Sequence, residues 1–255
     1  MKIHFYKYQG TGNDFVMIDN RSLKHSFTVD QIVSICDRRF GVGADGLILI
    51  QDHATLDFEM IYYNSDGSQS MCGNGSRCAV MFARFLKIIG LSTTFQSTDG
   101  VHKATISEEA VALEMHDTLP IEERLSGLFL DTGSPHHLEF VEQVASTEVF
   151  SRGQSIRQHP EYSPGGTNVN FVEVIDEHTI KVRTYERGVE DETLSCGTGV
   201  TAASIAATKK NIQSPVTVYT QGGQLTVSFE ETVDGFKNVK LIGPAKMVFE
   251  GDIII

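Results

Sequence analysis

Cys72-Gly73-Asn74-Gly75 and Cys196-Gly197-Thr198-Gly199 are one pattern written twice: a single cysteine, then Gly-x-Gly, then an apolar, alanine-containing stretch. The apolar stretch reads in both cases as a helix that starts no earlier than the second glycine, which puts a thiol at its mouth. The first turn of a helix has N–H groups with no intrahelical partner, and the aligned peptide dipoles place partial positive charge there. A cysteine in that position ionises more easily, and an anionic ligand can dock on the same amides. Glycine next to the cysteine removes a side chain that would block the approach.

The surroundings of the two runs are alike in plan. After Gly75 come Ala79, Val80, Met81, Phe82, Ala83, Phe85 and Leu86, with only Arg77, Arg84 and Lys87 charged; residues 200–208 are more apolar still. A helix apolar around most of its circumference is buried on most sides. Period-two strand patterns precede and follow each run. Residues 3–8 and 15–18 flank the turn-forming Gly10-Thr11-Gly12-Asn13-Asp14, and Thr28 caps a helix through Cys36 whose last turn carries Asp37-Arg38-Arg39. Strands at 47–50 and 58–63 lead to Cys72, and short β segments continue to about Met115. Composition turns polar at 117–120, and strands at 128–132, 137–141, 168–175 and 179–185 then lead to Cys196. Three further strands finish the chain, with Gly222-Gly223 as a hairpin turn.

The cysteines are separated by 196 minus 72, or 124 residues, close to half of the 255-residue chain. One buried helix in each half implies a sheet curled around it. The expected fold is α+β, with two pseudo-symmetric domains, each a curled, barrel-like mixed β-sheet around a central buried α-helix. The boundary is placed at 118/119, giving domains 1–118 and 119–255, with the last strand, 247–255, a candidate to pair with the first domain.

Composition narrows the function. A formal net charge of -12 speaks against nucleic acid and anionic membrane surfaces, which need concentrated Lys and Arg. No run approaches the roughly 18 apolar residues of a membrane span, and Met1-Lys2-Ile3-His4-Phe5 lacks the apolar core of a signal peptide, so a cytoplasmic location is expected. The four cysteines, Cys36, Cys72, Cys78 and Cys196, have neither C-x-x-C spacing nor the density of a disulfide scaffold. Cys36 and Cys78 read as small buried hydrophobes. Gly41-Val42-Gly43-Ala44-Asp45-Gly46 precedes a strand and opens no helix, so it is not a dinucleotide loop.

Two thiols at helix mouths suggest a redox pair, a metal pair or an acid/base pair. Redox pairs are usually adjacent in sequence, and a metal site wants three or four ligands. One thiolate and one thiol on opposite sides of a carbon acid would remove a proton from one face and return one to the other, inverting the stereocentre. Amides at the helix mouths would stabilise the charge that develops on a substrate carboxylate. No pyridoxal-phosphate lysine motif or nucleotide loop stands out, so no cofactor and no metal is expected.

Six ordered motifs resemble the diaminopimelate epimerase family. They are Gly12-Asn13-Asp14-Phe15-Val16; residues 41–46; Asn64-Ser65-Asp66-Gly67-Ser68 leading to Met71-Cys72-Gly73-Asn74-Gly75; Gly133-Ser134-Pro135-His136; Asn168-Val169-Asn170-Phe171; and Tyr185-Glu186-Arg187-Gly188 leading to 192–199. The resemblance implies cofactor-free interconversion of L,L- and meso-diaminopimelate in lysine and peptidoglycan precursor synthesis, by a homodimer. It implies Cys72 and Cys196 as the catalytic pair. Gly73, Asn74, Gly197 and Thr198 hold the reacting carboxylate, and Asn13, Asn64, Ser134, Asn168, Glu186 and Arg187 hold the rest of the substrate. His136 and Glu186 tune the cysteines. Taken alone, Asn13 reads as a turn residue, His136 as a loop histidine and Glu186-Arg187 as a solvated pair; the joint context gives them roles.

Two positions depart from the family pattern: Ser134 stands where asparagine is common, and Gly46 where glutamine is common. The loop from Asn64 to Cys72 is one residue shorter than the family's. The rival readings are a proline or hydroxyproline racemase of the same superfamily, whose substrates lack the distal zwitterion that Glu186 and Arg187 match, and a non-catalytic small-ligand binding protein on this fold.

Overall fold

The structure, a computed structural model, describes residues 2–255. The chain forms two compact units, one running up to Leu113 and including Gly243–Ile255, the other Glu114–Ile242. The division therefore falls before the 118/119 boundary expected from composition. Met115 and Thr118 donate their backbone N–H groups to the carbonyls of Val239 and Phe236, and Phe236 donates back to Thr118, which ties 115–118 into the second unit.

The first unit opens with a hairpin, β1 (Lys2–Gly10) and β2 (Asn13–Asp19), in which Gly10 lies opposite Asn13. Thr11 and Gly12 make a two-residue turn with φ of 51° and 85°, the left-handed pair that matches strand twist. Asn13 is thereby fixed at the first position of β2. Helix α1 (Val29–Cys36) has Thr28 as N-cap in a reciprocal capping box with Gln31. It runs through Cys36 as read, but Asp37-Arg38-Arg39 lie beyond its last turn, because the Asp37 carboxylate accepts the N–H groups of Arg39 and Phe40 and draws them out of the helical pattern.

Strand β3 (Gly46–Gln51) runs parallel to β2, and β4 (Phe58–Asn64) antiparallel to β3. Helix α2 (Gly73–Phe85) follows, then the meander β5 (Ser92–Ser97), β6 (Gly100–Ser107) and β7 (Ala110–Glu114). Helix α2 packs on β1 to β4 with Cys78, Ala79, Val80, Phe82 and Ala83 fully buried.

The second unit contains β8 (Glu122–Arg124), β9 (Gly127–Asp131), β10 (Pro135–Phe140), α3 (Val149–Arg157), β11 (Asn168–Asp176), β12 (Thr179–Glu186) and β13 (Asp191–Thr193). Helix α4 (Gly197–Ala206) then precedes β14 (Val216–Thr220), β15 (Gly223–Thr232) and β16 (Gly235–Pro244). The sheet runs β8-β9-β10-β11-β12-β14-β15-β16, with β10–β11 and β12–β14 parallel and β13 on β12. Helix α4 packs on β9 to β12, β14 and β15, and all of its residues except Thr198 are buried.

Helix α3 was not read from the sequence. Gly153 at its centre weakens the helical signal, yet a Cβ there would come within 2.4 Å of the Tyr185 Cβ, so only glycine lets α3 lie on β12. Four strands follow α4 where three were read, because β16 and the last strand, β17 (Lys246–Ile254), are separated by Ala245 alone. Strand β17 pairs antiparallel with β1 from Lys2↔Ile254 to Gln9↔Lys246 and belongs to the first unit. Each unit is thus an α+β body, a curled mixed sheet around one buried helix. No helix among the described residues is long and apolar enough to cross a membrane.

Candidate active site

Each cysteine is the N-cap of its helix. Helices α2 and α4 begin at Gly73 and Gly197, two residues earlier than the sequence reading, and Cys72 and Cys196 hold the extended backbone of a cap (φ −138° and −110°). The Cys72 sulfur accepts the Gly75 N–H at 3.3 Å, the contact that a capping serine or aspartate makes through oxygen. Backbone donation into sulfur favours the thiolate. Cys196 makes no cap bond of that kind; its sulfur lies 3.5 Å from the Thr198 hydroxyl oxygen.

The second glycine of each run serves packing. A Cβ on Gly75 would sit 3.1 Å from Ile48 Cδ1 and 3.4 Å from Cys72 Cβ, and one on Gly199 would sit 2.4 Å from Asn170 Oδ1. Any side chain at either glycine would therefore collide with a residue of the neighbouring sheet.

In the first unit the Cys72 thiol also lies 3.5 Å from Asn13 Oδ1, and Asn74 Nδ2 donates to the same oxygen at 3.4 Å. Both carboxamides have forced orientations. Asn13 Nδ2 donates to Asp45 Oδ2 at 2.5 Å, so its oxygen faces Cys72; Asn74 Oδ1 accepts from Arg77 Nη2 at 2.9 Å, so its NH2 faces Asn13. Asp45 is held in turn by Arg38 at 2.8 Å. Arg38 and the buried Lys7, both at 2.7 Å, clamp Asp14, and Lys7 also donates to the Gly43 carbonyl. Burial alone would raise the Asp14 pKa, but hydrogen bonds from Arg38 and Lys7 outweigh it and hold the carboxyl down at about 2. The other two thiols are of a different kind: burial pushes Cys36 up to about 11 and Cys78 higher still.

In the second unit His136, on β10 and fully buried, meets Thr198 Oγ1 through Nε2 at 2.9 Å and Asn170 Nδ2 through Nδ1 at 3.1 Å. Burial first, and the Arg187 charge second, lower its pKa to about 3, so the ring is neutral in the physiological range. Thr198 is steadied further by Thr132 Oγ1, which donates to its carbonyl at 2.9 Å.

The remaining predicted residues are held by hydrogen bonds of their own. Asn64, at the end of β4, donates to Ser68 Oγ at 3.0 Å and Ser70 Oγ at 3.1 Å, tying down the loop that leads to Cys72. Its cross-strand partner is Gly46. A Cβ at Gly46 would come 2.4 Å from the Tyr63 carbonyl and 2.5 Å from Tyr62 Cε2, so the Tyr62 ring fills the space of a side chain there, and its hydroxyl donates to Asn64 Oδ1 at 2.8 Å. Asn168 directs both amide hydrogens inward, to Ser134 Oγ at 2.9 Å and the Pro135 carbonyl at 3.0 Å, while its oxygen accepts the Arg187 N–H at 2.9 Å. Glu186 accepts the Thr193 hydroxyl at 2.9 Å, and the Arg187 side chain is exposed. Sequence reasoning assigned no role to Asp45, Tyr62, Arg77, Asn170 and Thr184. Asp45 acts on Asn13, Tyr62 on Asn64, Arg77 on Asn74, Asn170 on His136 and Thr184 on Asn170, all through hydrogen bonds, and spacing carries no signal of that.

The diaminopimelate epimerase family pattern matches residues 5–118 and 128–248. The chain is 50% identical over 253 residues to a diaminopimelate epimerase of Flavobacterium psychrophilum, covering 97% of this chain and 99% of that one. Among solved structures it is similar to a PhzF-family phenazine biosynthesis protein of Bacillus anthracis, with a TM-score of 0.75 at 16% identity and full coverage of both chains. It is also similar to a hydroxyproline epimerase of Agrobacterium vitis with bound trans-4-hydroxy-L-proline, with a TM-score of 0.70 at 14% identity, covering 99% of this chain and 91% of that one. These two likenesses are of fold. The two Cys-Gly-x-Gly caps, the ordered motifs around them and the identity along nearly the whole chain lead to one statement: the chain belongs to the diaminopimelate epimerase family.

Proposed function

We propose that this protein interconverts L,L- and meso-diaminopimelate without a cofactor, with Cys72 and Cys196 as the two proton-transferring groups. The observation that carries the reading is that these two cysteines, and neither Cys36 nor Cys78, are helix N-caps, with the Gly75 N–H donating to the Cys72 sulfur and the Thr198 hydroxyl in contact with the Cys196 sulfur. One cysteine, as thiolate, takes the α-proton. The C–H electron pair passes into the α-carboxylate, and the other cysteine, as thiol, returns a proton to the opposite face. In this reading the backbone amides of Gly73, Asn74, Gly197 and Thr198 serve the reacting carboxylate, as donors at helix N-termini that stabilise the developing charge.

Asn13, Asn64, Ser134, Asn168, Glu186 and Arg187 serve the rest of the substrate, whose distal ammonium and carboxylate call for opposite charges. His136 and Glu186 tune the thiols. The same reading includes a homodimer in the cytoplasm, which light scattering on the purified protein checks for assembly. The deciding experiment is exchange of the α-proton of L,L-diaminopimelate in deuterated water, with proline alongside. Exchange on diaminopimelate with formation of the meso isomer is expected. Exchange on proline alone overturns the substrate assignment, and exchange on neither points to a binding protein.

A further inference from the structure

Asn170, on β11 and fully buried, has no role in the chemistry described so far. Its Nδ2 lies 3.1 Å from the His137 carbonyl oxygen and 3.1 Å from His136 Nδ1, and its Oδ1 accepts the Thr184 hydroxyl at 2.9 Å. A backbone carbonyl only accepts, so the NH2 of the carboxamide must face His137. Its other hydrogen then points at His136 Nδ1, which must present a lone pair. The ring proton is therefore on Nε2, from which it is donated to Thr198 Oγ1 at 2.9 Å. Thr198 has accepted, and its own hydrogen is available to the Cys196 sulfur at 3.5 Å.

We propose that Asn170 is a positioning residue for Cys196: it fixes the His136 tautomer, so that the hydrogen bonds from Thr184 through Asn170, His136 and Thr198 all point towards the sulfur. A chain of donors ending on sulfur stabilises the thiolate, and successive bonds polarise one another. The ring is neutral and buried, so it has a tautomer to be chosen, and nothing but Asn170 touches its Nδ1 among the hydrogen bonds of the described residues. The Cys-Gly-x-Gly run is itself fitted to this carboxamide, since any side chain at Gly199 would meet Asn170 Oδ1 at 2.4 Å. In the first unit the equivalent glycine, Gly75, meets an isoleucine methyl, so the relay belongs to Cys196 alone.

The inference rests on the proposed role of Cys196, but its test is independent of turnover. Nitrogen-15 spectra of the histidine rings in the intact protein should show His136 protonated on Nε2 and bare on Nδ1 through the neutral range. Asn170→Asp keeps the shape but replaces the donor with an acceptor, and should bring a proton onto Nδ1. Asn170→Leu should leave a mixture of tautomers. The charged neighbours Glu186 and Arg187 are unchanged in both variants.

Thiolate absorbance, followed against pH in a Cys72→Ser background, reports Cys196, since Cys36 and Cys78 are held above the neutral window. There Asn170→Leu should raise the midpoint by about one unit, a tenfold loss of thiolate below it. Thr198→Val should raise it similarly, and the double variant no further than the larger single effect. A native His136 protonated on Nδ1, unchanged nitrogen shifts in Asn170→Asp, or additive thiolate shifts would overturn the proposal. If Asn170→Leu does not fold, Asn170→Asp carries the test. The expected tautomer in a protein that exchanges no α-proton upholds the relay and rejects the function.

Discussion

Arg77 is wholly buried on α2 and donates from Nη2 to Asn74 Oδ1 at 2.9 Å. The same Nη2 reaches Thr11 Oγ1 at 3.1 Å and Nη1 the Gly73 carbonyl at 3.4 Å, while Nε has no acceptor among the described residues. A guanidinium offers only donors, so it holds the Asn74 carboxamide with NH2 outward. Arg77→Met should lower kcat/KM about a hundredfold by letting that carboxamide turn. The fold should survive: lost hydrogen bonds and relief from burying a charge offset each other to within about 2 kcal/mol. Kinetics of Arg77→Met, Asn74→Ala and the pair check this. If the double variant is much slower than Asn74→Ala alone, Arg77 acts by another route.

Replacing either capping cysteine should stop the reaction while sparing the fold. Cys72→Ala and Cys196→Ala should each cut epimerisation by about a thousandfold or more, since in the proposed mechanism each removes a proton-transferring group. Cys36→Ala and Cys78→Ala leave the chemistry in place, and their cost is in packing. Epimerisation rates with thermal melts separate the two effects, and a fully active Cys72→Ala or Cys196→Ala enzyme contradicts the two-base reading.

Much of this was legible in the sequence. The buried helices announced themselves by apolar residues on nearly every face, and the caps by cysteine before Gly-x-Gly. The exact helix starts were not, because glycine signals a break, whereas at Gly75 and Gly199 it answers to Ile48 and Asn170, residues distant in the chain. Helix α3 escaped for the same reason at Gly153, where the decisive neighbour is Tyr185. The orienting residues Asp45, Arg77 and Asn170 were invisible because a hydrogen bond across a sheet leaves no periodicity behind.

Acid should unfold the first unit through Asp14. Its folded pKa of about 2 lies below the ordinary 3.8, so the ionised carboxyl stabilises the fold fully above about pH 4 and loses that contribution as pH falls through 2. The contribution is on the order of 2 kcal/mol. His136 acts in the same direction in the second unit: held neutral down to about pH 3, it disfavours the fold as pH drops below its ordinary 6.5. Asp14→Asn should flatten the stability profile between pH 4 and 2. It should also cost about 3 kcal/mol at neutral pH, since Lys7 stays buried without its anion. Chemical denaturation at a series of pH values reads both effects, and an unchanged slope in Asp14→Asn counts against the assignment.

The two matching glycines should respond unequally to the same substitution. At Gly75 a new Cβ meets the end of Ile48 at 3.1 Å, and an isoleucine methyl can move a few tenths of an ångström, so Gly75→Ala should cost about 1 kcal/mol. At Gly199 the new Cβ meets Asn170 Oδ1 at 2.4 Å, an atom held by the Thr184 hydroxyl at 2.9 Å inside a carboxamide whose nitrogen is already committed. To make room the carboxamide must turn, which breaks buried hydrogen bonds, so Gly199→Ala should cost about 3 kcal/mol. It should also slow epimerisation well beyond the effect of Gly75→Ala, because the displaced Asn170 releases His136. Equal melting shifts in the two variants would show that the carboxamide is not fixed in the way its hydrogen bonds indicate.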